Sequence, residues 1–259
     1  MFQDVSIDGR FQVRVWRAGA GRPLLFLHGF EGHPGDAPFL TDLAQRHQLI
    51  APEMPGFSGS MQGASDLQDI VDYALFYRRF IAEQVGGPVD LIGHDLGGML
   101  AAEVAAFSPH LVRRLVLVDA YGLWLDEHEI PDVFVQPPDA LRELLWAQPE
   151  RVNAAEPAGE DRATTDPATR ALNAQQDRAI AAKFLWAVPE RGLAKRLRYV
   201  EAPTLLVWGE RDRLIAPDYA QAFQRQLANA EVALIADAGH VPMLEQPEAF
   251  LRTVERFLA

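Results

Sequence analysis

Val89-Asp90-Leu91-Ile92-Gly93-His94-Asp95-Leu96-Gly97-Gly98-Met99 decides how the rest of the chain is read. An apolar run with the character of a buried strand ends in Gly-x-Asp-x-Gly, and a helical pattern begins at Met99. Such a strand-to-helix corner holds its central residue in strained backbone angles and lifts it clear of the sheet, the geometry of a nucleophile elbow. Gly93 and Gly97 follow from sterics, because a side chain at either would collide with the adjacent strand or the turn. Asp95 stands at the apex. A serine there would need a base to take its proton, whereas a carboxylate, with a reference pKa of about 3.9, is already an anion at neutral pH.

Outward from this corner, short β-branched or leucine-rich runs alternate with helical patterns, which predicts a mostly parallel sheet covered on both faces. Strands are expected over Asp4 to Ile7, Phe11 to Trp16, Leu24 to Leu27, Gln48 to Ala51, Val89 to Gly93, Arg114 to Val118, Thr204 to Trp208 and Glu231 to Ile235. The first two, separated by Asp8-Gly9-Arg10, are expected to be antiparallel neighbours. Helices are expected over Asp66 to Gln84, Met99 to Phe107, Pro217 to Leu227 and Pro247 to Leu258, the last two opening on Pro at the favoured first position. Between Ala120 and Val200 the alternation stops. Helical pieces around Leu141 to Trp146 and Asp177 to Trp186 flank a polar stretch, Asn153 to Arg170, expected to be mobile or partly helical. This gives an α/β core from 1–120 and 201–259, with a helical cap at 121–200 inserted after strand 6, over the carboxyl ends of the strands.

Composition narrows the function. The 259 residues are 49% hydrophobic and 23% charged, a globular balance, and no apolar run approaches the roughly 18 residues of a membrane span. Lys plus Arg total 24 against 36 Asp plus Glu, so the formal charge of −12 repels nucleic-acid phosphates and anionic lipid. Neither nucleic acid nor membrane is expected as a partner. Met1-Phe2-Gln3-Asp4 lacks the positive region and apolar stretch of a secretory signal, and there is no Cys to form disulfides, so a cytoplasmic location is expected. No His/Asp/Glu grouping has metal spacing and Gly93-x-x-x-Gly97-Gly98 is not followed by the Lys of a phosphate loop, so no metal or cofactor is expected.

Three segments join the elbow. Leu24-Leu25-Phe26-Leu27-His28-Gly29-Phe30 is a strand ending in His-Gly, placed so that the Phe30 amide can face a developing oxyanion, with the amide of Leu96 as the second donor. Asp212 follows a late strand in Val207-Trp208-Gly209-Glu210-Arg211-Asp212, and His240 follows the last strand in Ala236-Asp237-Ala238-Gly239-His240. Asp212 is the expected acid; Asp119, at the end of the strand before the insert, is the alternative. His28 reads as a loop-fixing residue, and His33, His94 and His128 as polar loop or elbow residues. Trp124, Trp146 and Trp186 are candidate pocket residues, each able to pack or to donate its indole N–H to a leaving group.

The order nucleophile, acid, histidine resembles that of the α/β-hydrolases, and the resemblance covers essentially the whole chain. It implies an eight-stranded sheet with Asp95, Asp212 and His240 converging at its carboxyl edge. Members with Asp at the elbow resemble epoxide hydrolases and haloalkane or haloacetate dehalogenases. In these, Asp attacks a saturated carbon to give an alkyl-enzyme ester, and the histidine then activates water against it. Glu31 stands where epoxide hydrolases usually have Pro, and Leu96 where the dehalogenases commonly have Trp or Arg. The surroundings, His33 to Leu40 and Gly122-Leu123-Trp124-Leu125-Asp126, are closer to esterase-like and carbon–carbon hydrolase-like relatives. Opening of an epoxide to a diol is the leading expectation, for a small apolar organic substrate and water. Carbon–halogen hydrolysis, hydrolysis of an ester, lactone or C–C bond, and a non-catalytic ligand-binding role on the same fold are the alternatives. A monomer and a homodimer are both compatible with the sequence.

Overall fold

Side chains alternate across a strand, and the central strands are apolar on both sides. Leu25 and Leu27 enter one hydrophobic cluster while Leu24 and Phe26 enter another, and Leu115 and Leu117 divide from Val116 and Val118 in the same way. Strands of this kind need cover on both faces. In the computed structural model, which describes residues 2–57, 60–150 and 166–259, they form one eight-stranded sheet. The strands are β1 (Phe2–Ile7), β2 (Phe11–Ala18), β3 (Arg22–Leu27), β4 (His47–Pro52), β5 (Val89–His94), β6 (Val112–Val118), β7 (Thr204–Gly209) and β8 (Ala230–Ile235). Their spatial order is β1-β2-β4-β3-β5-β6-β7-β8; β2 runs antiparallel to β1 and β4, and the remaining pairs are parallel. All eight expected strands are present, each extended by one or two residues.

The chain steps from β3 outward to β4 and then crosses back to β5, so β3 has β4 on one side and β5 on the other. A crevice opens beyond the carboxyl ends of strands where the winding reverses. His28 and Asp95, which follow β3 and β5, therefore meet at its floor.

Helices cover the sheet: α1 (Pro38–Leu43), α2 (Ile70–Gln84), α3 (Leu96–Phe107), α4 (Pro138–Leu145), α5 (Pro167–Leu185), α6 (Leu193–Arg196), α7 (Asp218–Gln224), α8 (Pro242–Glu245) and α9 (Pro247–Leu258). α2 starts four residues later than expected because Asp69 caps it, accepting from the Val71 and Asp72 amides while the Asp72 side chain reaches back. α3 starts three residues earlier, at Leu96, because the elbow residue itself occupies the N-cap position. The short α1 lies where no helix was expected. In the β6–β7 insert, α4 and α5 contain the two expected helical pieces; of the Asn153 to Arg170 stretch, residues 153–165 lie outside the described residues and the last four belong to the start of α5. No described helix is long and apolar enough to cross a membrane.

The insert is tied to the core by an ion pair. The Arg196 guanidinium on α6 meets both oxygens of the fully buried Glu103 on α3, at 2.6 and 2.5 Å. Burial pushes the Glu103 carboxyl up in pKa and the guanidinium opposes that shift. Removing the arginine would leave a carboxylate with no charge partner in an apolar setting. Arg196→Ala should lower unfolding stability by about 3 kcal/mol, and Arg196→Ala with Glu103→Leu should recover most of it, both read from denaturant midpoints.

Candidate active site

Asp95 has φ 57° and ψ −120°, a conformation that side-chain-bearing residues rarely adopt. Its surroundings over-determine it. The Asp95 amide donates to Val118 O at 3.0 Å, continuing the β5–β6 pairing, and its carbonyl accepts from Gly98, Met99 and Tyr121 at 3.0, 3.2 and 3.2 Å. The turn closes only because the neighbouring positions lack side chains. A Cβ on Gly97 would stand 2.2 Å from Leu27 O, and one on Gly93 2.3 Å from Gly97 O.

The corner aims a buried carboxylate at two other loops. Asp95 Oδ2 accepts the Phe30 N–H at 3.2 Å and lies 3.6 Å from His240 Nε2. Oδ1 of Asp95 and Nε2 of His240 are buried and have no hydrogen-bond partner among the described residues. Leu96 is the first residue of α3, where an amide has no acceptor within the helix.

His240 is fixed from three sides. Its Nδ1–H donates to Asp212 Oδ2 at 2.8 Å, its amide donates to Leu145 O at 2.9 Å, and its carbonyl accepts from His94 Nε2 at 2.8 Å. Asp212 is oriented in turn by the Leu214 and Ile215 amides, at 2.8 and 3.0 Å on Oδ1. Burial opposes charge on the imidazole, but the Asp212 and Asp95 carboxylates outweigh it and hold His240 well above its ordinary pKa. Asp119 does not take the Nδ1 position. Its Oδ1 accepts the Gly209 N–H at 2.9 Å, and one oxygen each of Asp119 and Asp212 and a ring nitrogen of His240 lie within 4.8 Å of one another. Of these three, His240 and Asp212 are in direct contact.

The other histidines divide by their partners. His28 donates from Nδ1 to Gly29 O at 2.8 Å and accepts the Met54 N–H on Nε2 at 2.9 Å, which requires a neutral ring. Burial drives it down to about 4, and it does the same to His94. His33 donates to Ala51 O and accepts from Gly35, so it also fixes its loop, and His128 is exposed. Glu245, to which the sequence drew no attention, clamps the site. Its two oxygens accept the Gly239 N–H at 2.6 Å and the Ala147 N–H at 2.8 Å, joining the His240 loop to the insert. The only sequence signal was Glu245 five residues after His240, and an acid at a helix end has too many ordinary uses to be singled out.

A cavity of about 160 Å³ reaches Asp95, His94 and His240. Its apolar wall comes from Phe26, Phe39, Leu145, Trp146, Met243 and Leu244. Of the three candidate tryptophans only Trp146 lines it. The Trp124 indole donates to Asp126 at 3.0 Å, and Trp186 is 59% exposed. Tyr121 lines a separate, smaller space with Ile130 and Phe134.

With this geometry in view, comparison with known proteins gives the class. Residues 24–253 match the model of the alpha/beta hydrolase family, and the chain belongs to that family of hydrolytic enzymes. Among its relatives, Lipase 3 of Moraxella sp. (strain TA144) is 26% identical over 240 residues, covering 87% of this chain and 73% of that one. The 2-hydroxy-6-oxo-6-(2'-aminophenyl)hexa-2,4-dienoic acid hydrolase of Metapseudomonas resinovorans is 27% identical over 267 residues, covering 97% and 89%. The crystal structure of a membrane phospholipase A, a bacterial virulence factor, superposes with a TM-score of 0.76 at 26% identity, over 100% of this chain and 85% of that one.

The His28 contacts carry a pH signature. Its folded pKa is depressed from 6.5 to about 4, so the unfolded chain takes up the proton first as the pH falls. The stability advantage over His28→Ala should be full above pH 6.5 and should shrink by about 3 kcal/mol as the pH falls to about 4, measured as the difference between paired urea titrations.

Proposed function

We propose that this hydrolase opens a small, largely apolar epoxide to a diol through an alkyl ester of Asp95. One observation carries the reading: two unpartnered buried atoms, Asp95 Oδ1 and His240 Nε2, belong to groups that border the same cavity. An epoxide answers both, with an electrophilic carbon for the carboxylate oxygen and an adjacent oxygen for the imidazolium proton. The cavity favours a small molecule, since a space of about 150 Å³ holds a guest the size of benzene.

In the first step a lone pair on Oδ1 forms the bond to carbon while the ring C–O bond breaks, and the released oxygen takes the proton from His240 Nε2. The tyrosines at the two edges of the insert have other places: Tyr121 lines the other space and Tyr199 is 52% exposed. Esterification removes the negative charge of Asp95, which is one of the two charges that hold the proton on His240. The neutral imidazole can now accept a proton from water, and hydroxide adds to the Asp95 carboxyl carbon. Charge develops on Oδ2, where the Phe30 and Leu96 amides stabilise it. The tetrahedral adduct expels the diol oxygen, which takes the His240 proton. The new carboxylic acid passes its remaining proton back to the imidazole, so epoxide and water have become diol.

Two other readings rest on specific features. Trp146 in the cavity wall offers an indole group to a departing halide, which favours carbon–halogen hydrolysis. The lipase among the relatives favours ester hydrolysis, with Asp95 forming an anhydride or serving as a base on water.

His240→Gln separates them. Glutamine can hydrogen-bond the opening oxygen, which must then take its proton from solvent, and it takes no proton from water, so alkylation should slow but still go to completion while hydrolysis should stop. Incubated with a panel of epoxides and haloalkanes, the variant should gain the full mass of an epoxide, located on Asp95 by peptide mapping. A gain equal to the alkyl group less one hydrogen, with free halide, would assign carbon–halogen hydrolysis. No adduct, with ester turnover by the unmutated protein, would assign the ester reading.

A further inference from the structure

Asp119 is a third carboxyl group at the site, and the chain takes trouble to hold it there. It is fully buried at the end of β6 with φ 43°, a strained value for a residue with a side chain. Its amide donates to Val207 O at 3.0 Å and its Oδ1 accepts the Gly209 N–H at 2.9 Å, so the carboxyl is oriented from β7. The other oxygen, Oδ2, is buried and receives no hydrogen bond from any described residue. An ionised carboxylate can only accept, and a buried acceptor without a donor is costly. One oxygen of Asp119 lies within 4.8 Å of an oxygen of the Asp212 carboxylate, itself an acceptor, and of a ring nitrogen of His240.

We infer that Asp119 is a positioning residue that stays protonated in the resting enzyme and donates its O–H to the Asp212 carboxylate. The same proton removes two difficulties: Oδ2 becomes a donor with an acceptor beside it, and two buried negative charges no longer face each other. The charged groups that act on Asp119 are Asp212, which with burial pushes its carboxyl well above the usual range, and His240, which pulls the other way but does not prevail.

This inference rests on the proposed mechanism for its purpose. With three carboxylates around one imidazole, an ionised Asp119 would bind the His240 proton too tightly for it to reach the opening epoxide. By donating to Asp212, a neutral Asp119 draws off part of that charge. His240 can then serve as acid in the first step and as base in the second.

Infrared difference spectra and kinetics test this together. At neutral pH the unmutated protein should show the C=O stretch of a protonated carboxylic acid, and Asp119→Asn should lack it. Asn keeps both a donor to Asp212 and an acceptor for Gly209, so it should lower kcat by only about two- to fivefold and leave the acid limb of the pH profile in place. Asp119→Ala should lower kcat by about a hundredfold and move that limb upward by about one pH unit, because Asp212 loses its donor. A role confined to holding Gly209 would not move the limb. Absence of the carboxylic-acid band, or loss in Asp119→Asn as severe as in Asp212→Asn, would overturn the inference and make Asp119 an ionised partner of His240. The infrared result needs no turnover. Failure of the epoxide reading therefore shows as absence of diol and adduct, while failure of this inference shows in the spectrum.

Discussion

The strained backbone of Asp95 is the constraint on which the site depends. A positive φ on a residue with a side chain costs about 1–3 kcal/mol, and here it is held by one amide bonded to β6 and one carbonyl that accepts three N–H groups. The third of those donors, Tyr121, is the first residue after Ala120 at the start of the insert, so the elbow and the covering segment brace each other. The conformation also sets which groups the carboxylate meets. It turns one carboxylate oxygen toward the Phe30 amide, leaves the other without a partner, and starts α3 at Leu96.

Electrostatics follow from that placement. A serine at the apex would leave one carboxylate facing one imidazole; Asp95 adds a second negative charge on the opposite side of the ring. Both charges hold the imidazole well above its ordinary pKa, and in the proposed cycle esterification of Asp95 would remove one of them. On that proposal, covalent bond formation at Asp95 is the signal that changes His240 from acid to base. Such a cycle suits a substrate whose leaving oxygen needs a proton in the first step.

Much of this was legible in the sequence because it follows from periodicity and sterics. The alternation of Leu24 to Leu27 and Leu115 to Val118 between two faces identified buried strands, and Gly93 and Gly97 marked a corner that only glycine permits. The order of Asp95, Asp212 and His240 along the chain anticipated the loops that bring them together. What escaped was information carried by tertiary contact. Nothing in the local pattern distinguishes Trp146, which lines the cavity, from Trp124 and Trp186, which do not. Glu245 has meaning only because Gly239 and Ala147, far apart in sequence, both present amides to it. The helix starts at Leu96 and Ile70 depended on which residue acted as cap, a competition decided by side-chain hydrogen bonds and the elbow turn.

The most direct test follows the oxygen atoms through one turnover in water labelled with heavy oxygen, with enzyme in excess over an epoxide. If Asp95 is the nucleophile, the first diol carries an unlabelled oxygen taken from the protein, and the label appears in the Asp95 carboxyl group. Label in the diol with an unlabelled Asp95 would mean that water attacks the substrate directly, and the covalent account would be wrong.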